Sequence, residues 1–203
     1  MDITISQISK QYKNQTILTD ISLCVHSGET VGILGRNGCG KSTLLSIIAG
    51  TEKADKGQVI FSERGGRKLI GYLPQINPLI EEVSIFDNLS LWIDDMGRID
   101  EVLREYDFDK IANKKVSKLS GGMKRRAAIM CALANSPKLL IMDEPTAALD
   151  IEFKKMIHDL MRQFIESGGS IILVTHEKEE IDMCDRCYEI KEGKLFTGGL
   201  ESE

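Results

Sequence analysis

A short apolar run, a glycine-rich loop and a helical segment follow one another without a break between residues 30 and 50. The run is Thr-Val-Gly-Ile-Leu, the loop reads Gly-Arg-Asn-Gly-Cys-Gly-Lys-Ser-Thr over residues 35–43, and helical spacing continues from Lys41 to a natural stop at Gly50. A strand that enters a helix through such a loop directs backbone N–H groups and the positive helix terminus at one point. The segment therefore predicts an α/β fold with a phosphate-binding site at the end of a strand.

Residues 35–43, called the phosphate loop below, have the side chains that a triphosphate and its metal require. The positions without obstructing side chains are Gly35, Gly38 and Gly40. Lys41 supplies a mobile positive charge for the β- and γ-phosphates, the Ser42 hydroxyl is placed to bind Mg²⁺, and Thr43 contacts the α-phosphate side. The alternative is a glycine-rich turn that only joins a strand to a helix, and the Lys-Ser-Thr ending argues against it.

Two carboxylates follow the apolar run at residues 139–142. Ligand groups in α/β sheets lie at the carboxyl ends of strands, so Asp143 is expected to hold Mg²⁺ directly or through water. Glu144 is placed to accept a proton from, or to orient, a water that attacks the γ-phosphate. The acidic pair has a second interpretation as the start of a helix, because Pro145 follows and turns the chain.

Net charge and cysteine content restrict the classes of partner. Lys and Arg number 26 against 31 for Asp and Glu, and this net charge of −5 argues against a general nucleic-acid or anionic-lipid surface. Five cysteines at irregular spacings suit reduced thiols better than a disulfide framework. Cys184 and Cys187 form a C-x-x-C pair, but no second pair of suitable spacing accompanies it, so two packed thiols are favoured over a zinc or redox site.

Hydropathy bears on the location of the chain. The longest uninterrupted apolar run, residues 127–134, is far shorter than the roughly 20 residues that cross a bilayer, and the N-terminus lacks the basic start of a signal peptide. We therefore expect a cytosolic chain. If it works at a membrane, the membrane-spanning part belongs to a different polypeptide.

Periodicity organises the rest of the 203 residues as one domain with an insertion. Apolar and polar residues alternate at 3–9 and 21–25, which predicts half-buried antiparallel strands. Further strands are predicted at 58–61, 68–73 and 171–174, a helix at 151–167, and a terminal hairpin within 187–196. Residues 77–117 are polar, acidic and mostly helical, with helices predicted at 84–91 and 99–106.

Three more features complete a recognisable set: Gln75 in Leu-Pro-Gln, the string Leu-Ser-Gly-Gly-Met at 119–123, and His176 after a buried strand. In order and spacing the whole set resembles the nucleotide-binding subunit of an ATP-binding cassette (ABC) transporter. The resemblance implies a P-loop NTPase core of mostly parallel sheet with an antiparallel β subdomain and a short inserted helical subdomain. Residues 1–76 and 118–203 would form the core, and residues 77–117 the insert.

The resemblance also implies roles for individual residues. Asn37 and Cys39 join the rest of the phosphate loop in binding ATP, Tyr12 stacks on adenine, and Gln75 reaches Mg²⁺ or the attacking water. His176 resembles the switch histidine at the γ-phosphate. The alternative for Tyr12, less favoured, is a strand-edge tyrosine, and an isolated histidine such as His176 is more often a surface or cap residue.

A further group is expected to complete the ATP site of a second subunit: Ser120, Gly121, Gly122 and Asp150. From the residues alone, Ser120 is better explained as the N-cap of a helix, which is predicted at 124–135. Met123 departs from the glutamine usual at the fifth signature position and donates no hydrogen bond. One of the residues Ala147 and Ala148 stands where the family often has serine.

The implied function is an ATPase subunit that dimerises head-to-tail around two MgATP with a second copy or a related subunit, and drives a separately encoded transmembrane permease. It would lie on the inner face of the cell membrane through that partner, with no nucleic acid bound. The alternative is a soluble ABC-type ATPase acting on a protein assembly or nucleoprotein. Residues 77–117 would form the docking groove for the permease.

Overall fold

A computed structural model describes residues 1–198. Its strands are β1 (Ile3–Tyr12), β2 (Gln15–Val25), β3 (Thr30–Leu34), β4 (Lys56–Phe61), β5 (Ile70–Leu73), β6 (Leu139–Asp143), β7 (Ser170–Val174), β8 (Arg186–Lys191) and β9 (Lys194–Gly198). Its helices are α1 (Lys41–Ala49), α2 (Ile85–Ser90), α3 (Ile99–Glu105), α4 (Gly121–Leu133), α5 (Ile151–Glu166) and α6 (Lys178–Ile181). Among these helices none is long and apolar enough to cross a bilayer.

The larger sheet has six strands in the order β5-β6-β7-β3-β8-β9. All neighbours are parallel except β8 and β9, which form the antiparallel terminal hairpin. Every residue of β6 and β7 is buried, as expected for parallel strands with both faces covered. Because β6, β7 and β3 are adjacent, their carboxyl ends bring Asp143, Thr175 and the phosphate loop to one edge of the sheet.

The second sheet is antiparallel, in the order β2-β1-β4. Alternate residues of β1, among them Ile3 and Ile5, are buried and share one core with α1 and the larger sheet. This sheet confirms the alternation read from the sequence. The observed strands are longer than predicted, because pairing continues to Tyr12 and Gln15 at the hairpin turn, where the alternation is lost but backbone hydrogen bonds remain.

The segment between β5 and α4 is helical and has its own apolar cluster. Ser84 caps α2 in a capping box with Asp87, and the buried side chains of α2 and α3 pack against the apolar face of α4. Backbone hydrogen bonds from Val116 to Val83 and from Ser117 to Glu81 join the two ends of the segment. The segment therefore folds as a compact unit supported by α4.

Two predicted boundaries were wrong. Residues 68 and 69 were expected in a strand but lie in a 3₁₀ turn, Gly66–Leu69, because β5 pairs only with β6 and that partner begins at Leu139. Helix α4 was expected from Lys124 but begins at Gly121, directly after its Ser120 cap. In contrast, β3 and α1 have the predicted limits.

Candidate active site

One cleft of about 370 Å³ gathers residues that are far apart in the sequence. It is lined by Tyr12, Ile17, Asn37, Gly38, Gly40, Lys41, Ser42, Thr43, Gln75 and Glu144. Every lining residue except Ile17 was predicted from the sequence as a nucleotide or catalytic residue. Ile17 was missed because an isoleucine in an alternating strand carries no signal beyond packing.

The phosphate loop follows a path that two of its glycines make possible. Gly35 has φ 137° and Gly40 has φ 110°, both in the region that side chains disfavour. A Cβ on Gly35 would lie 2.7 Å from the Ile190 carbonyl oxygen, and one on Gly40 would lie 2.8 Å from a Leu18 methyl. The loop is thus pressed between β8 and β2, and its shape is fixed by the fold around it.

Lys41 places a positive charge inside the loop. The residue is buried, and its Nζ donates hydrogen bonds to the carbonyl oxygens of Gly35 at 2.7 Å and Arg36 at 3.2 Å. Helix α1 begins at Lys41 and has no acidic residue in its first turn, so its positive end faces the cleft uncompensated. Both features favour a polyanion at this position.

Asp143 ends β6 beside the phosphate loop. Burial raises the pKa of its carboxyl group, an effect opposed by a hydrogen bond from Ser42 and by the charge of Lys41. A buried carboxylate next to a hydroxyl is an oxygen donor set that a hard divalent cation prefers, and a bound cation would relieve the cost of burying the charge. Ser42 and Asp143 therefore fit Mg²⁺.

Glu144 is the point at which the predicted catalytic side chains meet. Its Oε2 accepts a hydrogen bond from Nε2 of Gln75 at 3.0 Å, and its Oε1 lies 3.8 Å from Nε2 of His176. Its backbone has φ 47°, an uncommon left-handed conformation for a side chain of this size, and its N–H donates to the Val174 carbonyl oxygen at 2.8 Å. The strained turn directs the carboxylate into the cleft, since Glu144 lines it.

The residues assigned to a second subunit do not line this cleft. Ser120 accepts a hydrogen bond from the Met123 N–H at 3.3 Å and so caps α4, as the sequence predicted. Asp150 caps α5 by accepting from the Phe153 N–H at 3.0 Å. Gly122 lies against the ring of Phe153, where a Cβ would be 2.6 Å from the ring. Within one chain these residues, with Gly121 beside them, shape helix termini.

The cysteine of the phosphate loop faces elsewhere. The Cys39 side chain lines a separate cavity with Arg36 and residues of the terminal hairpin, and its backbone N–H donates to the Arg36 carbonyl oxygen at 3.2 Å. Cys39 does not line the cleft that contains Lys41, Ser42 and Thr43.

The Cys184 and Cys187 thiols pack against Gly32, where an added Cβ would lie 3.0 Å and 2.9 Å from their sulfur atoms. Burial raises the pKa of both thiols. The thiolate that zinc binding or redox chemistry needs is thereby disfavoured. Both observations favour the interpretation of this pair as packed thiols.

Arg125 is a site residue that the sequence did not identify. It is buried on α4 and its guanidinium donates to six oxygen atoms, those of the Pro74, Gln75, Asp143, Glu144 and Pro145 carbonyls and of the Asn77 side chain. Residues 124–126 are three consecutive cations, and such a run in a sequence indicates a solvent-exposed helix face and not a buried residue. The available signal was weak: Arg125 shares a helix face with the apolar residues Ala128 and Ile129.

A second buried polar group lies behind the site. Oε1 of Glu180 accepts a hydrogen bond from Thr146 at 2.6 Å and lies 3.3 Å from Nε2 of His158. Thr146 follows Glu144 by two positions and Glu180 follows His176 by four, so this group joins the two chain segments that carry Glu144 and His176. Neither His158 nor Glu180 belongs to a motif visible in the sequence.

Comparison with known proteins agrees with the geometry. The family model described as ABC transporter matches residues 18–147. The lipopolysaccharide export system ATP-binding protein LptB of Escherichia coli K12 is 32% identical over 99% of this chain and 91% of its own length. The spermidine/putrescine import ATP-binding protein PotA of Mycoplasma capricolum is 32% identical over 99% of this chain and 62% of its own length.

Solved structures give the same result. A dimeric structure of MJ0796, a bacterial ABC transporter cassette, superposes with a TM-score of 0.86 at 28% identity, covering 99% of this chain and all of that one. A second dimer of that cassette, in a post-hydrolysis state bound to ADP and Pi, has a TM-score of 0.84 at 27% identity over 99% and 100% of the two chains. This chain therefore belongs to the ABC transporter family, as one of its ATP-binding and ATP-hydrolysing subunits.

Proposed function

We propose that the cleft holds one ATP with its adenine on Tyr12 and its phosphates in the phosphate loop. Tyr12 lines the cleft and is 43% exposed, and Nζ of Lys10 lies 5.0 Å from the centroid of its ring. The phosphate end has the Lys41 charge and the terminus of α1. The cleft thus has an aromatic end and a positively charged end, which match the adenine and the phosphates of ATP.

In this proposal Glu144 orients the attacking water and accepts its proton. Gln75 donates to the carboxylate and His176 lies on its other side, so both restrict its orientation. Mg²⁺, held by Ser42 and Asp143 with Gln75 near, would neutralise the charge of the phosphates. The observation that carries the assignment is the convergence of Gln75 and His176 on Glu144, the one carboxylate among the described residues that line the cleft.

The Ser120 end of α4 is proposed to bind the γ-phosphate of ATP held by a second copy in a head-to-tail dimer. The first turn of α4 has no acidic residue, so its positive terminus suits an anion. Ile151, next to Asp150, is 85% exposed, as expected of a residue that meets another subunit. The dimeric cassettes that this chain resembles support the arrangement.

The transmembrane partner is proposed to dock where residues 77–117 meet the core. A groove of about 470 Å³ is lined there by Tyr72, Pro78 and Trp92 among others. Trp92 is 45% exposed and the adjacent Leu91 is 64% exposed, so apolar surface is available for an inserted segment. Docking in this groove would hold the chain at the inner face of the cell membrane.

The test is a tagged Glu144→Gln variant, expressed in the native cell and recovered in mild detergent with MgATP. Glutamine retains an oxygen that accepts from Gln75 but does not accept a proton, so we expect ATP binding to persist and hydrolysis to fall by about 10²–10⁴. The ATP-bound dimer should then accumulate with its partner attached.

Recovery of a stoichiometric polytopic membrane protein supports the transporter assignment. A soluble partner, or the dimer alone with nothing from the membrane fraction, contradicts it in favour of a soluble assembly ATPase. The wild-type protein purified without nucleotide is the matched control. Near-normal turnover of the variant would remove Glu144 from its proposed role.

A further inference from the structure

We propose that Arg125 is a positioning residue that holds both ends of the Gln75–Glu144 pair and connects that pair to the Ser120 end of α4. This inference rests on the proposed role of Glu144. Arg125 would act through the backbone of the site and not through any contact with ATP.

The guanidinium bridges two loops. On one side, Nε donates to the Pro145 carbonyl oxygen at 3.0 Å, and Nη2 donates to those of Asp143 at 3.0 Å and Glu144 at 3.1 Å. The carbonyl oxygen of every residue from 143 to 145 is therefore bound to one side chain. This fixes the backbone on both sides of the catalytic carboxylate.

On the other side, Nη1 of Arg125 binds the loop that carries Gln75. It donates to the carbonyl oxygens of Pro74 at 2.7 Å and Gln75 at 3.4 Å, and to Oδ1 of Asn77 at 3.1 Å. The hydrogen bond between Gln75 and Glu144 therefore has both of its loops attached to the same planar group. If either loop moved alone, it would have to break these bonds.

The cost of this arrangement argues that it has a role beyond stability. Arg125 is buried, and among the described residues no carboxylate forms an ion pair with it. Burial lowers the pKa of the guanidinium to about 10. A buried cation without an ion pair is expensive. The left-handed backbone of Glu144 is also unfavourable and persists only where neighbouring groups impose it.

Helix α4 supplies the connection to a second subunit. Arg125 follows Ser120 by five positions, about 7.5 Å along the helix axis. A short rigid helix moves as a unit, so a displacement of its N-terminus by a bound phosphate would also displace the guanidinium. The proposed contact of Ser120 with one nucleotide would then alter the position of Glu144 at the other.

The experiment is a double-mutant cycle on steady-state hydrolysis of radiolabelled ATP, using Arg125→Gln, Glu144→Gln and both together. Misplacing a catalytic group by about 1 Å costs about 10²-fold, and we expect that loss in kcat from Arg125→Gln, with the KM for ATP changed less than threefold. If Arg125 acts through Glu144, the double variant should hydrolyse ATP no more slowly than Glu144→Gln.

Arg126→Gln is the matched control, because Arg126 is on the same helix but pairs with Asp107 and lies over the ring of Phe108. It should retain kcat within about twofold. If Arg125→Gln does not fold, Arg125→Lys is used for the same cycle, since a single ammonium cannot bridge both loops.

An unchanged kcat in the Arg125 variant, or losses that multiply in the double variant, would overturn the inference. Those outcomes are distinct from failure of the proposed function, which would appear as near-normal hydrolysis by Glu144→Gln alone.

Discussion

Substitutions of Ser120 separate its observed role as a helix cap from its proposed role at the nucleotide of a second subunit. Aspartate caps helices about as well as serine, whereas alanine does not cap. A carboxylate facing a γ-phosphate is repelled, whereas alanine only removes a hydrogen bond. We therefore expect Ser120→Asp to preserve stability and strongly reduce turnover, and Ser120→Ala to reduce both moderately.

The stability effect follows from the cap geometry. The Ser120–Met123 hydrogen bond is 3.3 Å long, beyond the usual N–H···O range, so its loss falls in the lower part of the range for caps, about 0.5–1 kcal/mol. In a domain of 203 residues, 1 kcal/mol shifts the Tm by about 2–4 °C. Ser120→Ala should thus lower the Tm by up to about 4 °C, and Ser120→Asp by less than about 1 °C.

The catalytic effect follows from charge. Two like unit charges about 4 Å apart repel by about 4 kcal/mol at an effective dielectric constant near 20. That energy corresponds to about a 10³-fold loss of turnover for Ser120→Asp. Loss of a hydrogen bond to a charged group costs about 1.5–3 kcal/mol, so Ser120→Ala should lose roughly 10- to 10²-fold.

Thermal denaturation without nucleotide measures the first effect, and ATPase activity over a range of protein concentrations measures the second. ATP affinity of the isolated monomer is the control, and should be unchanged in both variants because Ser120 does not line the cleft. Turnover by Ser120→Asp within threefold of wild type would refute the contact with a second subunit. A Tm loss equal to that of Ser120→Ala would refute the capping argument.

Two other predictions concern stability. Gly71→Ala should lower the free energy of unfolding by about 1–3 kcal/mol, because the new Cβ would lie 2.3 Å from the Ala132 carbonyl oxygen of α4. Gly121→Ala, with nothing within 4 Å, is the control in urea titrations, and equal effects of the two would contradict the packing argument. Burial would raise the pKa of Glu29, but hydrogen bonds from Arg186 and the His26 backbone outweigh it and lower that pKa below its ordinary 4.5. The carboxylate therefore stabilises the fold above pH 4.5 and loses this effect as the pH falls through the folded-state pKa. Glu29→Gln should be less stable than wild type at pH 7, with the difference shrinking below pH 4.5, and a difference independent of pH would contradict this.

Short sequence patterns predicted the helices and strands whose ends depend on residues close by in the chain. Helix α1 has its predicted limits because Gly40, directly before it, and Gly50, directly after it, both have a left-handed backbone that an α-helix does not adopt. Strand β5 was misplaced by two residues because its start depends on where β6 begins, which lies far away in the chain. The periodicity of apolar residues within a segment carries no information about its pairing with a distant strand.

The sequence by itself determined which chemical groups the candidate site contains: glycines and Lys41, proposed to bind phosphate, and Asp143 and Glu144, proposed to act on metal and water, each adjacent to an apolar strand that had to be buried. These depend on residue type and short spacing, which a chain displays before it folds. Only the tertiary structure decided which groups meet. The strand order brings Gln75 and His176 to one carboxylate, and packing of α4 buries Arg125 while its neighbours Lys124 and Arg126 make surface ion pairs. The sequence does not distinguish these three adjacent cations from one another. The direction of each side chain is set by the surfaces against which α4 packs.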